Sequence, residues 1–154
     1  MFTETLSQAL AVVGQIPASN HAVNTDVSVA GIDMSIFRRL ITYLDVGAGG
    51  GNVQAYYKSS ATANMASSTN LGNSALYTNT TQLVGTTTSN RVQSIEIRAD
   101  QLPAGHRYVI PAMTVVTTAT NAGLICLGGE ASYKPASQFD TANVRETALV
   151  VAMA

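Results

Sequence analysis

The residues that could do chemistry in this 154-residue chain are few: two histidines, one cysteine, nine carboxylates and eight basic side chains. His21 stands in a Ser-Asn-His-Ala passage that reads as a loop, and His106 just ahead of a strand. They are far apart in sequence and belong to no H-E-x-x-H or H-x-x-x-H arrangement, so surface or turn positions suit them better than a metal pair. Asp33, Asp45, Asp100 and Asp140 could pair as the two carboxylates of a hydrolase. Each also has a simpler place: Asp33 at a turn into a strand, Asp45 at a strand end, Asp100 in a turn before Pro103. Cys126 lies in the apolar run Leu124-Ile125-Cys126-Leu127. A nucleophilic thiol needs an activating cation or base nearby, and the local sequence supplies none, so a buried thiol is expected. Gly47, Gly49, Gly50 and Gly51 follow a strand, but Val53-Gln54-Ala55-Tyr56-Tyr57 comes next. A phosphate-binding loop needs a helix N-terminus there. The basic residues Arg38, Arg39 and Arg107 are expected to pair with Asp33, Asp45, Glu96 or Asp100 across a sheet. No cofactor and no metal is expected.

Charge is scarce throughout. From Ser59 to Asn90 the chain has no Asp, Glu, Lys, Arg or His, and charged residues are 11% of the whole, against about 25% in a typical soluble domain. A net charge of −1 provides no long-range attraction for nucleic acid, whose binding rests on neutralising phosphates. Near-neutral surfaces tend to associate, which suits a protein that lives in an assembly. No run approaches the ~20 apolar residues of a membrane helix. The first residues lack the basic region of a signal peptide, so synthesis in the cytoplasm without export is expected. A lone cysteine precludes an intramolecular disulfide, and the sequon Asn79-Thr80-Thr81 carries no weight without export.

The elements that must position these residues have strand character. Phe37–Val46 places Leu40, Thr42, Leu44 and Val46 on one face and Arg39, Ile41, Tyr43 and Asp45 on the other. Gly47–Asn52 then reads as a hairpin loop leading into a strand from Val53 to Ser59. Arg91–Ala99 alternates, with Ile95 and Ile97 facing one way and Val92, Ser94 and Glu96 the other. Arg107–Thr118 is a long β-branched strand in which Pro111 predicts an edge or a bulge. Asn121-Ala122-Gly123 reads as a turn and Leu124–Tyr133 as the returning strand. Thr25–Val29 reads as a further short strand. Thr3–Val13 shows helical spacing at Leu6, Ala9, Leu10 and Val13, yet Ala11-Val12-Val13 favours a strand. The apolar end Val144–Ala154 reads as a last strand or an arm laid on a neighbour. Seven to nine short strands separated by turns predict an all-β, single-domain jelly roll or β-sandwich with extended terminal arms. The expected divisions are 1–30 as N-terminal arm and first strands, 31–136 as core, and 137–154 as C-terminal arm or last strand.

Three passages resemble small structural proteins of tailed bacteriophages. They are Gly31-Ile32-Asp33-Met34-Ser35-Ile36-Phe37-Arg38-Arg39-Leu40 through Leu44-Asp45-Val46-Gly47; Ile97-Arg98-Ala99-Asp100-Gln101-Leu102 with Gly105-His106-Arg107-Tyr108-Val109; and Leu127-Gly128-Gly129-Glu130-Ala131-Ser132-Tyr133-Lys134-Pro135-Ala136. Ala30 and Ile36 stand where Trp and Lys are usual. The resemblance implies a capsid decoration (cement) role on the virion exterior, with the major capsid protein as partner and a homotrimer as the favoured assembly. No nucleic acid and no membrane is implied as partner. Such a role needs many uncharged contacts, for which Phe2, Leu6, Tyr133, Phe139, Leu149, Val150 and Val151 are the expected interface residues. The alternative is a tail- or fibre-associated β-sandwich that binds host-surface glycan through Tyr56, Tyr57 and Tyr77.

Overall fold

The computed structural model describes residues 6–47, 52–71, 91–132 and 136–141. A single helical turn, α1 (Leu6–Ala9), leads into β1 (Leu10–His21). Then follow β2 (Asp26–Ser28), β3 (Ile32–Asp33), β4 (Phe37–Val46), β5 (Val53–Ser60), β6 (Thr69–Asn70), β7 (Arg91–Arg98), β8 (Tyr108–Val115) and β9 (Thr120–Ala131). One antiparallel sheet has the order β1-β9-β4-β7, the other β2-β8-β5-β6, with β3 also on β8. The two sheets pack face to face as a β-sandwich.

Alternation explains the packing. Leu40, Leu44 and Val46 of β4, Val53 and Ala55 of β5, and Ile95 and Ile97 of β7 are all buried. They form one core with Val109, Met113 and Val115 of β8. Period-2 burial from both sheets is what an aligned sandwich requires. Tyr57, also inward, donates its hydroxyl to Thr42 Oγ1 at 2.9 Å and lies 3.1 Å from the Ile95 carbonyl. This hydrogen bond joins the two sheets through the core.

Four local expectations are corrected. Gly47–Asn52 does not close a hairpin, because β4 and β5 lie in opposite sheets. Alternation alone cannot separate a paired neighbour from a strand facing across the core, since both turn their apolar side inward. Asn121-Ala122-Gly123 is not a turn but lies within β9. A Cβ on Gly123 would stand 2.7 Å from the Ala18 nitrogen, so this glycine allows two backbones to approach. His21 lies not in a loop but at the end of β1, where its Nε2 is 3.1 Å from the Ala122 carbonyl. Pro111 lies in β8, an interior strand, paired with Tyr57. Its carbonyl accepts from Val29 in the break between β2 and β3. In an antiparallel ladder both backbone groups of a residue point to the same side, so the missing Pro111 donor faces that break, as on an edge.

The N-terminal passage combines both readings, a helical turn and then a strand. β1 is interrupted by irregularities between Val12 and Gly14 and between Ile16 and Ser19, the second containing Pro17. At the other end of the described chain, Ala136–Phe139 forms a 3-10 turn. Asp140 Oδ1 then accepts from the Val12 N–H at 2.6 Å, and the Thr141 N–H donates to the Val12 carbonyl at 2.8 Å.

Candidate functional site

The three resembling passages meet at one corner of the sandwich. Asp33 begins a tight turn in which its Oδ1 accepts from the Ser35 N–H at 2.9 Å and its carbonyl from Ile36. Asn and Asp suit such turns because their side chains bond their own backbone two residues on. β3 pairs with β8, setting Asp33 opposite Tyr108. The adjoining Arg107 reaches both Asp33 carboxylate oxygens, with Nε 2.7 Å from Oδ1. That forked geometry is the strong form of the ion pair. The Arg107 guanidinium is the main cause that holds the Asp33 carboxyl down to about 2.

A reverse turn presents Arg107. The His106 N–H donates to the Pro103 carbonyl, with Gly105 between them at φ +81°, a backbone value that favours glycine. The same turn places His106 Nδ1 2.7 Å from Ser59 Oγ. Ser59 is fully buried, so this serine–histidine contact fastens the turn to β5 and offers no accessible nucleophile.

The third passage closes the corner from β9. Gly129 pairs with Arg39 and Ala131 with Phe37. Ser132 donates from its N–H to the Ile36 carbonyl and from its hydroxyl to the Ser35 carbonyl. Gly128 lies under the Phe37 ring, and Phe37 packs edge-on against Phe139 with centroids 5.6 Å apart. Outside, Arg39 bridges Glu130 at 3.0 Å and Glu96 at 3.6 Å. Glu130 has φ +52°, an uncommon conformation for a residue with a side chain. Arg98 pairs with Asp100 at 2.7 Å. Beside them lies a charged hollow lined by Arg38, Arg98, Asp100 and Glu130.

Of the basic residues expected to pair with Asp33, Asp45, Glu96 or Asp100, Arg107 pairs with Asp33 and Arg39 with Glu96, whereas Asp100 pairs with Arg98. Glu130, the second partner of Arg39, was not foreseen, because its register on β9 depended on a turn that the sequence misplaces. Asp33, Asp45, Asp100 and Asp140 are not brought together as a carboxylate pair: Asp33 holds Arg107, Asp100 holds Arg98, and Asp140 caps Val12. Among the described residues no three His, Cys, Asp or Glu side chains cluster to hold a metal ion. Cys126 is buried, and burial pushes its thiol up to about 12.

Of the expected interface residues, Phe139 packs on Phe37 within the fold and Leu6 opens α1. Phe2, Tyr133, Leu149, Val150 and Val151 lie outside the described residues. Of the three tyrosines considered for glycan, Tyr57 is in the core, and Tyr77 lies outside the described residues. Tyr56 is on the outer face of the second sheet, where its hydroxyl donates to Asp26 Oδ1 at 2.7 Å. Lys58 donates to Asp26 Oδ2 at 2.7 Å and stands 5.4 Å over the Tyr56 ring. Burial pushes the Asp26 carboxyl up, but the hydrogen bonds from Lys58 and Tyr56 outweigh it and leave it below its usual range. Burial, then Asp26, raises Tyr56.

Sequence reasoning also passed over an apolar stripe. Tyr43, Val92 and Ile125 are exposed on the outer face of the first sheet, with Tyr43 opposite Ile125 and Val92 opposite Asp45. The alternation that put Tyr43 beside Arg39, and Val92 beside Glu96, was the available signal. Comparison with known proteins adds no relative: no protein-family model, no curated protein and no solved structure matches this chain.

Proposed function

We propose that this chain is a non-enzymatic virion structural protein, a capsid decoration protein that binds the lattice of a major capsid protein and stabilises it. The observation that carries the reading is the convergence of the three phage-like passages on one corner. There Asp33 pairs with Arg107, Arg39 with Glu130, and the Ser132 hydroxyl donates to the Ser35 carbonyl. The resemblance thus rests on one structural unit, and the polar side chains in it serve placement.

The strand order supports the same reading. The chain passes from one sheet to the other at nearly every step, giving β1-β9-β4-β7 over β2-β8-β5-β6. We read this as a jelly roll, an architecture found in viral capsid and lectin domains. That likeness is one of fold and by itself assigns no function. The low charge and the exposed apolar stripe favour a partner bound through uncharged contacts. A homotrimer on the capsid exterior is the assembly the reading favours.

The test is cryo-electron microscopy of the protein mixed with shells of the cognate major capsid protein. Ordered density at three-fold or quasi-three-fold positions is expected. Bare shells, with the protein left free, would remove the decoration role.

A further inference from the structure

The hollow at the corner has a volume of about 340 Å³ and is lined by Arg38, Arg98, Ala99, Asp100 and Glu130. That is within the size range of small-ligand sites. Two of its charges are already answered: Arg98 holds Asp100, and Glu130 holds Arg39. Arg38 is different. Among the described residues Arg39, Lys58, Arg98 and Arg107 each bridge a carboxylate, whereas Arg38 bridges none. Its side chain is exposed, and its guanidinium keeps all its donors for a group from outside.

The register provides an acid for Arg38, and the backbone turns it away. Phe37 pairs with Ala131 and Arg39 with Gly129, so a regular ladder between them sets Glu130 directly opposite Arg38. Opposite residues share one face of a sheet, and opposite charges there attract. Yet Glu130 takes φ +52° and sends its carboxylate to Arg39 Nε at 3.0 Å. Left-handed backbone is costly for any residue with a side chain. Such outliers cluster where a ligand is held, and irregularities in a strand re-aim side chains at such places. Here the irregularity removes the natural cross-strand partner of Arg38 and leaves that arginine lining the hollow without one.

The chemistry of the hollow narrows what could occupy it. A guanidinium offers a planar fork that matches the two oxygens of a carboxylate. Asp100 and Glu130 stand on the same rim and repel a group in proportion to its negative charge. A singly charged carboxylate therefore fits better than a phosphate.

We infer that the hollow is a binding site for a carboxylate, the side chain of an aspartate or glutamate on a partner protein, with Arg38 taking both of its oxygens. Arg38 comes from the first of the three phage-like passages, Arg98 and Asp100 from the second, and Glu130 from the third, so the site exists only once all three have met. It adds a contact of stated chemistry to the capsid reading and does not rest on it.

The test uses the full chain alone, with the arginine Nε–H signals read by nuclear magnetic resonance. The probe is the peptide acetyl-Ala-Glu-Ala-amide at low salt. A saturating shift of the Arg38 signal is expected, with Arg39, Arg98 and Arg107 moving little because their forks are taken. The same peptide with Gln in place of Glu should leave Arg38 unmoved. Arg38→Gln should weaken binding of the Glu peptide at least about tenfold, and an otherwise unchanged amide spectrum would show that the fold is kept. No shift at Arg38, or equal shifts at all four arginines, would overturn the proposal, the second by showing general ionic attraction. Unchanged affinity in Arg38→Gln would overturn it too. Inorganic phosphate that shifts Arg38 at lower concentration than the peptide would make a phosphate the ligand and overturn the carboxylate assignment. Failure to bind capsid shells bears on the capsid reading alone and leaves these outcomes unaffected.

Discussion

Replacing Tyr57 by Phe should destabilise the sandwich without disturbing its shape. The Tyr57 hydroxyl donates to Thr42 Oγ1 at 2.9 Å across the core, and it lies 3.1 Å from the Ile95 carbonyl. Tyr57 is 4% exposed and Thr42 0%, so no water replaces the lost oxygen. Phe keeps the ring, so the packing term is small. A net hydrogen bond is worth about 0.5–1.5 kcal/mol, and a buried group left unpaired costs about 1–3 kcal/mol. The Thr42 hydroxyl also bonds the Cys126 thiol, so it is not wholly orphaned. The expected loss is therefore about 1–2 kcal/mol. For a domain of this length that lowers Tm by about 2–8 °C. Urea unfolding should show a lower midpoint with unchanged slope. Thr42→Val removes the same bond from the other side, so the double variant should cost less than the sum of the two. Costs additive to within about 0.3–0.5 kcal/mol, or a neutral Tyr57→Phe, would refute the inter-sheet bond.

Three other outcomes follow from the geometry. A Cβ on Gly128 would stand 2.6 Å from Phe37 Cδ1, so Gly128→Ala must push a ring held by Phe139 and should cost about 1–3 kcal/mol; thermal unfolding measures it, and a neutral result would mean the ring moves freely. With its folded-state value down at about 2, Asp33 contributes stability that is complete above its unfolded value of about 3.9 and is lost as pH falls through about 2. Asp33→Asn should therefore flatten the acid limb of stability against pH, and an unchanged limb would exclude the Arg107 pair as its source. Cys126, with its thiol pushed up to about 12, should react with a thiol reagent at neutral pH only as fast as the protein unfolds; a rate matching that of a free thiol would place it at the surface.

The fold was legible where one strand carries its own alternation. β4 was read with its observed ends, and Leu40, Thr42, Leu44 and Val46 all face the core. What failed were inferences about which strand follows which. The glycines of Gly47–Asn52 predict a hairpin because glycine marks any tight connection, within a sheet or between sheets. Gly123 reads as a turn because the sequence does not show Ala18 lying against it. Glycine signals a steric need and leaves open whether a bend or a close neighbour creates it. The corner was half legible for the same reason. Charge alone offers Arg39 and Arg107 the set Asp33, Asp45, Glu96 and Asp100 without saying which pairs with which, and Glu130 enters only with the register of β9.

The placement of the few charges indicates what they do. Arg39, Glu96, Arg98, Asp100, Arg107, Asp33 and Glu130 all belong to the corner or its rim. The Arg39 and Arg98 pairs are about half exposed on both sides, and exposed pairs are worth about 0–1 kcal/mol. They are therefore poor sources of stability, which the apolar core supplies. Their value lies in specifying which passages meet. Asp33 accepts a fork that Arg107 offers, and Arg39 can bridge Glu96 and Glu130 only when β4 lies between β7 and β9 in this register. A chain so poor in charge has few ways to reject wrong strand pairings, because one apolar β-branched face resembles another. Concentrating four of the five described ion pairs where three distant passages join, with Lys58–Asp26 apart on the second sheet, places that discrimination at the point where a wrong pairing would displace the most chain.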